Sequence, residues 1–464
     1  MIEKDVENDV YPVRDIRLIL KACQADDPLR PGDPRLHDFS SLRGGDGVVE
    51  LADTLEQEVS DNKYHHCIMC GHRGTGKSTE LLKLKKWADD QGFFTVWNEV
   101  DVHFGLAELQ FSDLYLLTAE SVTRAMSGEN MSVPNKDLKS IVEWFSEIVD
   151  ERKNQTKLDH DIKAGGKAGL TLFFSKLFAE YSASVVAGSE YTSTVRSKFK
   201  QSPNDLMELT NKLLLDAGEI LIKNGRHKGL LVLFDNLDRY PSETIKTLLF
   251  TGSTLVRKLA CHAIFTMPVE LRCSPDQTWW DDYDANVMIP MLAIRDQSEA
   301  WNDTIGETRF NENAVDEMSR ALAKRIDIDK LFEKTEDAKL IVKLSGGCMR
   351  DLLHLVDTSR QKSRKSLKDT PKKLTSDGVR KAIEEYRLQQ TEGLQECDYI
   401  RLVALARRDP NSDVIDDHAM RLMNRRRILR YRSESTSWID IHPILLEDRR
   451  FQRDFANASR LVSE

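Results

Sequence analysis

The residues with the plainest chemistry are Gly71-His72-Arg73-Gly74-Thr75-Gly76-Lys77-Ser78, which fit Gly-x-x-x-x-Gly-Lys-Ser/Thr, the phosphate-binding loop (P-loop) pattern. Glycines let the backbone curl until successive N–H groups point at an anion. The positive end of a following helix faces the same anion. At this spacing Lys77 would reach the β- and γ-phosphates of a nucleotide, and the Ser78 hydroxyl would bind Mg²⁺. Thr79 follows in the first helical turn and completes the candidate nucleotide contacts. The flanks suit the motif. Tyr64 to Cys70 reads as a short strand, and Ser78 to Trp87 reads as a helix, with Leu81, Leu82 and Leu84 and no breaker.

A second stretch supplies acids. Leu230 to Phe234 is a run of five apolar residues ending at Asp235. Such a run is a fully buried strand with a carboxylate at its C-terminal tip. Ligands of open α/β sheets bind at that edge. Asp235 is thus the candidate Mg²⁺ carboxylate (the Walker B position), and Asp238 is placed to orient an attacking water. Thr266 ends another strand, Cys261 to Pro268, where its hydroxyl could touch a γ-phosphate or the water. Arg350 opens a helix after Gly346-Gly347, an unfavourable place for a cation by helix-dipole reasoning. Two readings stand there, a γ-phosphate contact and an ordinary surface arginine.

Several elements must position these groups. Residues 1–47 read as an irregular N-terminal arm. Within it Leu42 to Gly47 either covers the base or is a plain surface loop. A helix over 48–59 leads into the loop strand. Gly92 to Val102 forms a turn and a strand, followed by helices over 111–127 and 135–152, with Ser112 and Asn135 as caps. This alternation predicts an α/β fold with a parallel sheet. Residues 155–200 interrupt it: Ala164 to Gly169 reads as flexible, and Leu170 to Tyr181 is rich in aromatic and aliphatic residues. That insertion either packs on its own domain or exposes a partner or subunit interface. Helices are expected over 204–224, 243–260, 311–326 and 335–344, with a short strand over 287–292. Residues 361–374 read as a basic, solvated linker. Helices over 375–391, 394–408 and 414–424 precede a hairpin at 427–442, the order of a winged helix. Arg421, Arg425, Arg426, Arg427, Arg430 and Arg432 lie there without an acid among them, and could contact DNA phosphates. A protein-docking module is the other reading.

Composition narrows the classes. In 464 residues, 67 basic and 76 acidic side chains leave a net charge of −9, which argues against indiscriminate nucleic-acid coating. The length calls for more than one core. No run of 18 apolar residues is present, so no membrane span is expected. The polar, acidic first residues do not resemble a signal peptide. Seven scattered cysteines suggest free thiols in a reducing cytoplasm. Cys67-x-x-Cys70 lacks a second pair and falls in the loop strand, so buried packing outweighs a metal or redox role.

Taken together, Gly71–Ser78, Leu230–Arg239, Thr266 and Gly346–Arg350 resemble the AAA+/STAND division of P-loop ATPases. The likeness is nearest to bacterial ATPases related to origin-recognition proteins, which carry a C-terminal winged helix. It implies an αβα P-loop NTPase core with a parallel sheet over 48–295, a helical lid over 296–360 and a winged helix over 375–464. It implies ATP and Mg²⁺ as ligands, slow ATP hydrolysis and a switch that controls homo-oligomer assembly or a separate effector, as in anti-phage defence. Thr266 resembles the first sensor and Arg350 the second. Asp235-Asn236 departs from the Asp-Glu of many AAA+ members, and Asp-x-Leu-Asp-Arg is more like NACHT and KAP ATPases. The resemblance also leads to an expected trans-acting arginine, with Arg272 and Arg257 as candidates. A DNA-binding loader and a non-hydrolysing nucleotide scaffold are the alternatives.

Overall fold

The core is a five-stranded parallel sheet, seen in a computed structural model that describes residues 10–57, 63–106, 108–149, 151–201, 203–251, 253–273, 282–295, 310–365, 371–433 and 436–463. Its strands are β1 (His66–Gly71), β2 (Phe93–Glu99), β3 (Gly229–Asp235), β4 (His262–Pro268) and β5 (Ala285–Met288), in spatial order β2-β3-β4-β1-β5. Side chains alternate between the two faces of a strand. Phe93, Leu231, Leu233, Cys67, Met69 and Ile264 face one way. They pack on helices α1 (Gly47–Glu56) and α2 (Lys77–Asp90) through Leu51, Leu55, Leu81, Leu84 and Ala88. Residues of the other parity, among them Phe94, Val96, Leu230, Val232, Phe234 and Phe265, join the larger core on the opposite face. The Cys67-x-x-Cys70 pair is split by this alternation: the two thiols lie in different cores, both fully buried and unpaired. Burial pushes the Cys67 thiol up to about 12.

The second face is covered by α3 (Phe111–Gly128), α4 (Asn135–Val149), α5 (Glu151–Ala187), α6 (Glu190–Gln201) and α7 (Pro203–Lys223). Ser112 does not cap α3. Gln110 does, in a capping box with Asp113, and Ser112 is buried inside the first turn. Helix α5 runs through residues 164–169, which the sequence marks as flexible. Its apolar positions recur at helical spacing, so Phe173, Phe174, Leu177, Phe178 and Tyr181 are buried in the common core. The aromatic stretch of the 155–200 insertion is therefore not an exposed interface patch. Gly169–Ala187 is the one helical segment, among the described residues, long and apolar enough to cross a membrane, and its aromatics pack inside the protein. Tyr181 Oη donates to Asp113, and Arg196 Nη2 lies 2.7 Å from Asp113 Oδ2, so a buried polar cluster pins α5 and α6 to α3.

The expected helix over 243–260 is broken. Ser242–Lys246 passes into a π turn at Thr247–Thr251 and then Ser253–Val256. Beyond the sheet come α8 (Glu312–Ala323), α9 (Thr335–Leu344), α10 (Met349–Lys362), α11 (Ser376–Thr391), α12 (Glu396–Ala406) and α13 (Asp417–Asn424). The antiparallel pair β6 (Ile428–Arg432) and β7 (Ser437–Ile441) follows, and α14 (Arg449–Ser463) ends the chain. Helix α14 was not expected.

Two segments are more structured than the sequence suggests. Residues 366–370 of the linker lie outside the described residues, but Leu374 is fully buried and its N–H donates to Leu331 O at 2.7 Å. The arm is also tied down. Val13 pairs with Ile326 in a bridge, and Arg325 Nη1 donates to Ala22 O at 2.9 Å.

Candidate nucleotide-binding site

The loop between β1 and α2 has the backbone its glycines predict. Gly74 and Gly76 lie at φ +89° and +97°, in the region that favours glycine. A Cβ on Gly74 would come within 2.6 Å of Arg350 Cβ and 2.8 Å of Cys348 Sγ, so the helix opening at Met349 rests directly on the loop. Lys77 is almost wholly buried and curls back over the loop. Its Nζ donates to Gly71 O (2.8 Å) and His72 O (2.9 Å) and pairs with Asp238 Oδ2 at 2.8 Å. Thr75 Oγ1 closes the turn on His72 O. Thr79 Oγ1 accepts from Leu29 N of the arm at 3.3 Å.

At the tip of β3, Asp235 is 1% exposed, and its Oδ1 has no hydrogen-bond partner. A buried carboxylate oxygen left open costs free energy unless something binds it. Burial pushes its carboxyl up to about 6, with the neighbouring Ser78 hydroxyl pulling the other way. Ser78 and Asp235 thus form a hard-oxygen pair of the kind Mg²⁺ takes, leaving room for waters and phosphate oxygens. The turn after Asp235 is held rigidly. Asn236 adopts φ +66°, its Nδ2 donates to Asp101 Oδ1 (2.7 Å), and Arg239 Nη1 donates to Asp101 Oδ2 (2.8 Å). Arg73 reaches from the loop to the carbonyls of Asp238 (3.1 Å) and Arg239 (2.8 Å).

Two sequence assignments change here. Thr266 is fully buried, accepts from Leu237 N at 3.0 Å and donates to Phe234 O at 3.2 Å. Its hydroxyl braces the turn rather than facing a phosphate. Asp238 is committed to Lys77, which with Arg73 and Arg239 holds its carboxyl below the usual range against the effect of burial. An ion-paired, acidic carboxylate is a poor acceptor for a water proton.

The remaining walls come from distant segments. The arm lines the cavity with Gln24 to Leu29 and with Arg35, Leu36, His37 and Phe39, and the lid lines it with Met349, Arg350 and Leu353. Arg350 Nη2 lies 3.1 Å from Asp26 Oδ1, so lid and arm meet across the mouth. From Leu42 to Gly47 only Arg43 lines this cavity. Arg43 holds the loop from outside, donating to Thr75 O (2.6 Å) and Glu80 Oε1 (3.0 Å). Asp26, Arg43, Glu99 and Asp101 were not picked out from sequence. Only their positions at strand tips or before the motif could have signalled them.

The C-terminal hairpin sits on the loop. Arg430 N donates to His72 Nε2 at 2.9 Å, and Arg426 Nη1 approaches Arg73 O at 3.5 Å. Arg426 Nη2 also pairs with Asp351 Oδ1 at 2.9 Å, and Tyr431 Oη donates to Gly346 O at 2.9 Å. Burial, helped by Lys77, Arg426 and Arg430, lowers His72 to about 3, so the ring is neutral and can accept.

The six arginines therefore do not form one outward strip. Arg421 is bound to Asp398, Arg426 to Asp351, Arg427 to the carbonyls of Arg425 and Gln389, and Arg430 to Cys273 Sγ and Ser437 Oγ. Arg425 is exposed and Arg432 half-buried. The proposed trans-acting arginines also face their own chain: Arg272 Nη1 donates to Asn286 O (3.0 Å) and Arg257 Nη1 to Asp282 O (2.6 Å).

No known protein family matches the chain in sequence, and no curated protein does. Among solved structures it is similar to a Walker-type ATPase of Pyrococcus abyssi, at 13% identity and a TM-score of 0.43, covering 93% of this chain and 99% of that one. It is also similar to the ORC1 protein of Aeropyrum pernix in complex with DNA, at 11% identity and a TM-score of 0.36, covering 90% and 92%. At such distance the functional reading rests on the site itself.

Proposed function

We propose that the chain is an ATP-binding and ATP-hydrolysing switch whose C-terminal hairpin reports the state of the phosphate loop. The observation that carries this reading is the convergence on one loop of Lys77, the Ser78–Asp235 oxygen pair and the hairpin contact from Arg430 to His72. Mg²⁺, held by Ser78 and Asp235, would supply charge neutralisation for the phosphates. The chain does the rest. Loop N–H groups and the α2 N-terminus bind the anion. Lys77 exchanges its Asp238 partner for phosphate oxygens, and Arg350, which lines the cavity, exchanges Asp26 for the γ-phosphate.

That exchange explains how a signal could leave the site. Asp238 and Arg239 present their carbonyls to Arg73, and Arg73 O faces Arg426. Freeing Asp238 would loosen the 237–239 turn and the Arg73 brace, and with them the seat of the hairpin. The altered hairpin would then be read by a partner protein or a further copy of the chain. The reading predicts Mg²⁺-dependent ATP binding and phosphate release that are both lost in Lys77→Ala, with Mg²⁺ dependence lost in Asp235→Asn. Wild-type protein that shows no ATP binding with Mg²⁺ would refute it.

A further inference from the structure

The reading above leaves the attacking water without a base: even when Lys77 turns to the phosphates, Arg73 and Arg239 stay beside Asp238 and hold its carboxyl low. The other carboxylates on the cavity wall are also accounted for. Glu80 pairs with Arg43 and Lys83, Asp26 is exposed at the cavity mouth, and Asp235 is the metal-side acid. Asp27 is exposed on the arm. Glu99 differs from all of these. It lines the cavity, is half-buried, and has no hydrogen-bond or ion-pair partner among the described residues.

Its place in the sheet is specific. Glu99 ends β2 and lies in parallel register with Asp235 at the end of β3. Neighbouring strands are about 4.8 Å apart, and residues in register point to the same face. That face is known from the packing below. Phe93, Leu231 and Leu233 share the parity of Glu99 and Asp235 and pack on α2, the helix that begins at Lys77. The two carboxylates thus stand side by side at the top of the face that carries the phosphate loop.

We propose that Glu99 is the general base for hydrolysis, an inference that rests on the ATPase reading. A water oxygen attacks the γ-phosphorus as the bond to the β,γ-bridging oxygen breaks. The water proton passes to the Glu99 carboxylate, ADP leaves with the bridging oxygen, and inorganic phosphate is released. Burial and the nearby Asp101 raise the Glu99 carboxyl from its ordinary value, against Arg239, which improves it as a proton acceptor. Asp101 in turn is fixed by Asn236 and Arg239, so the charge that tunes Glu99 is held in place.

The test is Glu99→Gln in the full chain, with ATP and Mg²⁺ as the probe. Phosphate release should fall about 100-fold or more, as for loss of a general base. ATP affinity should stay within about threefold, and the ATP-induced rise in melting temperature should persist. Glu99→Asp, one methylene shorter, should fold equally and retain partial turnover. Phosphate release by Glu99→Gln within about fivefold of wild type would overturn the assignment. So would loss of ATP binding in that variant. Wild-type protein that binds ATP but releases no phosphate would remove the base while leaving the binding reading intact. Wild-type protein that fails to bind ATP would sink the ATPase reading itself.

Discussion

At the scale of the residue, the site stores its charges in pairs. Lys77 is held by Asp238 in nearly water-free surroundings, and the half-buried Arg426 is held by the fully buried Asp351. Breaking a buried pair from one side leaves an uncompensated charge. Arg426→Ala should therefore destabilise the protein by about 3–5 kcal/mol, read as a lower urea midpoint. Arg426→Met combined with Asp351→Leu should lose much less than either change alone, since the stranded charge is gone. Equal loss in the single and double variants would show that packing, not charge, decides the effect. Arg426 was visible in the sequence only as one of six arginines. Nothing local announces that its partner lies 75 residues upstream on α10.

At the scale of the element, close backbone approach decides where the lid can sit. Gly347 has φ +79°, and a Cβ there would lie 2.0 Å from Leu292 O. The strap after β5 and the turn before α10 therefore touch backbone to backbone. Gly347→Ala should cost about 2 kcal/mol or more, through strain and displacement of Leu292. Gly45→Ala, at φ +121° with nothing within 4 Å, has only the backbone term and should cost less. Paired denaturation curves check the ranking. The elements themselves were largely legible. The loop strand, its helix, the Asp235 strand and the hairpin follow from periodicity and from residues fixed by their neighbours in sequence. What the residues left open or misplaced shares one cause. Whether Phe173 and Phe178 are exposed, a question the sequence left with two answers, or Thr266 faces a phosphate, depends on tertiary partners far along the chain. The flexible reading of 164–169 failed because the helix packed into the core from Leu170 onward continues through these glycines.

At the scale of the whole molecule, buried histidines set the pH response. Burial lowers His66 to about 4, and His72 and His262 to about 3. Their unfolded forms titrate near 6.5, so between about pH 4 and 6 the unfolded chain binds three more protons through them. Asp235, raised to about 6, runs the other way by about one proton in the same range. The histidines outnumber the opposing carboxyl, so stability should be full above about pH 6.5 and fall as the pH drops through the window below. Urea unfolding at pH 7 and pH 5 measures this. A flat profile would mean that these histidines are not neutral in the fold.

The arm, sheet and lid meet around one cavity and the hairpin rests on its phosphate loop, although they lie hundreds of residues apart. Hydrogen exchange of the full chain, with and without ATP and Mg²⁺, reads the loop and the hairpin together. The account predicts stronger protection at 71–79 on ATP binding and a change of protection at 428–432 and 437–441 in the same sample, both absent in Lys77→Ala. Protection of the loop with no change in the hairpin would contradict the switch. No change in either would contradict the nucleotide site.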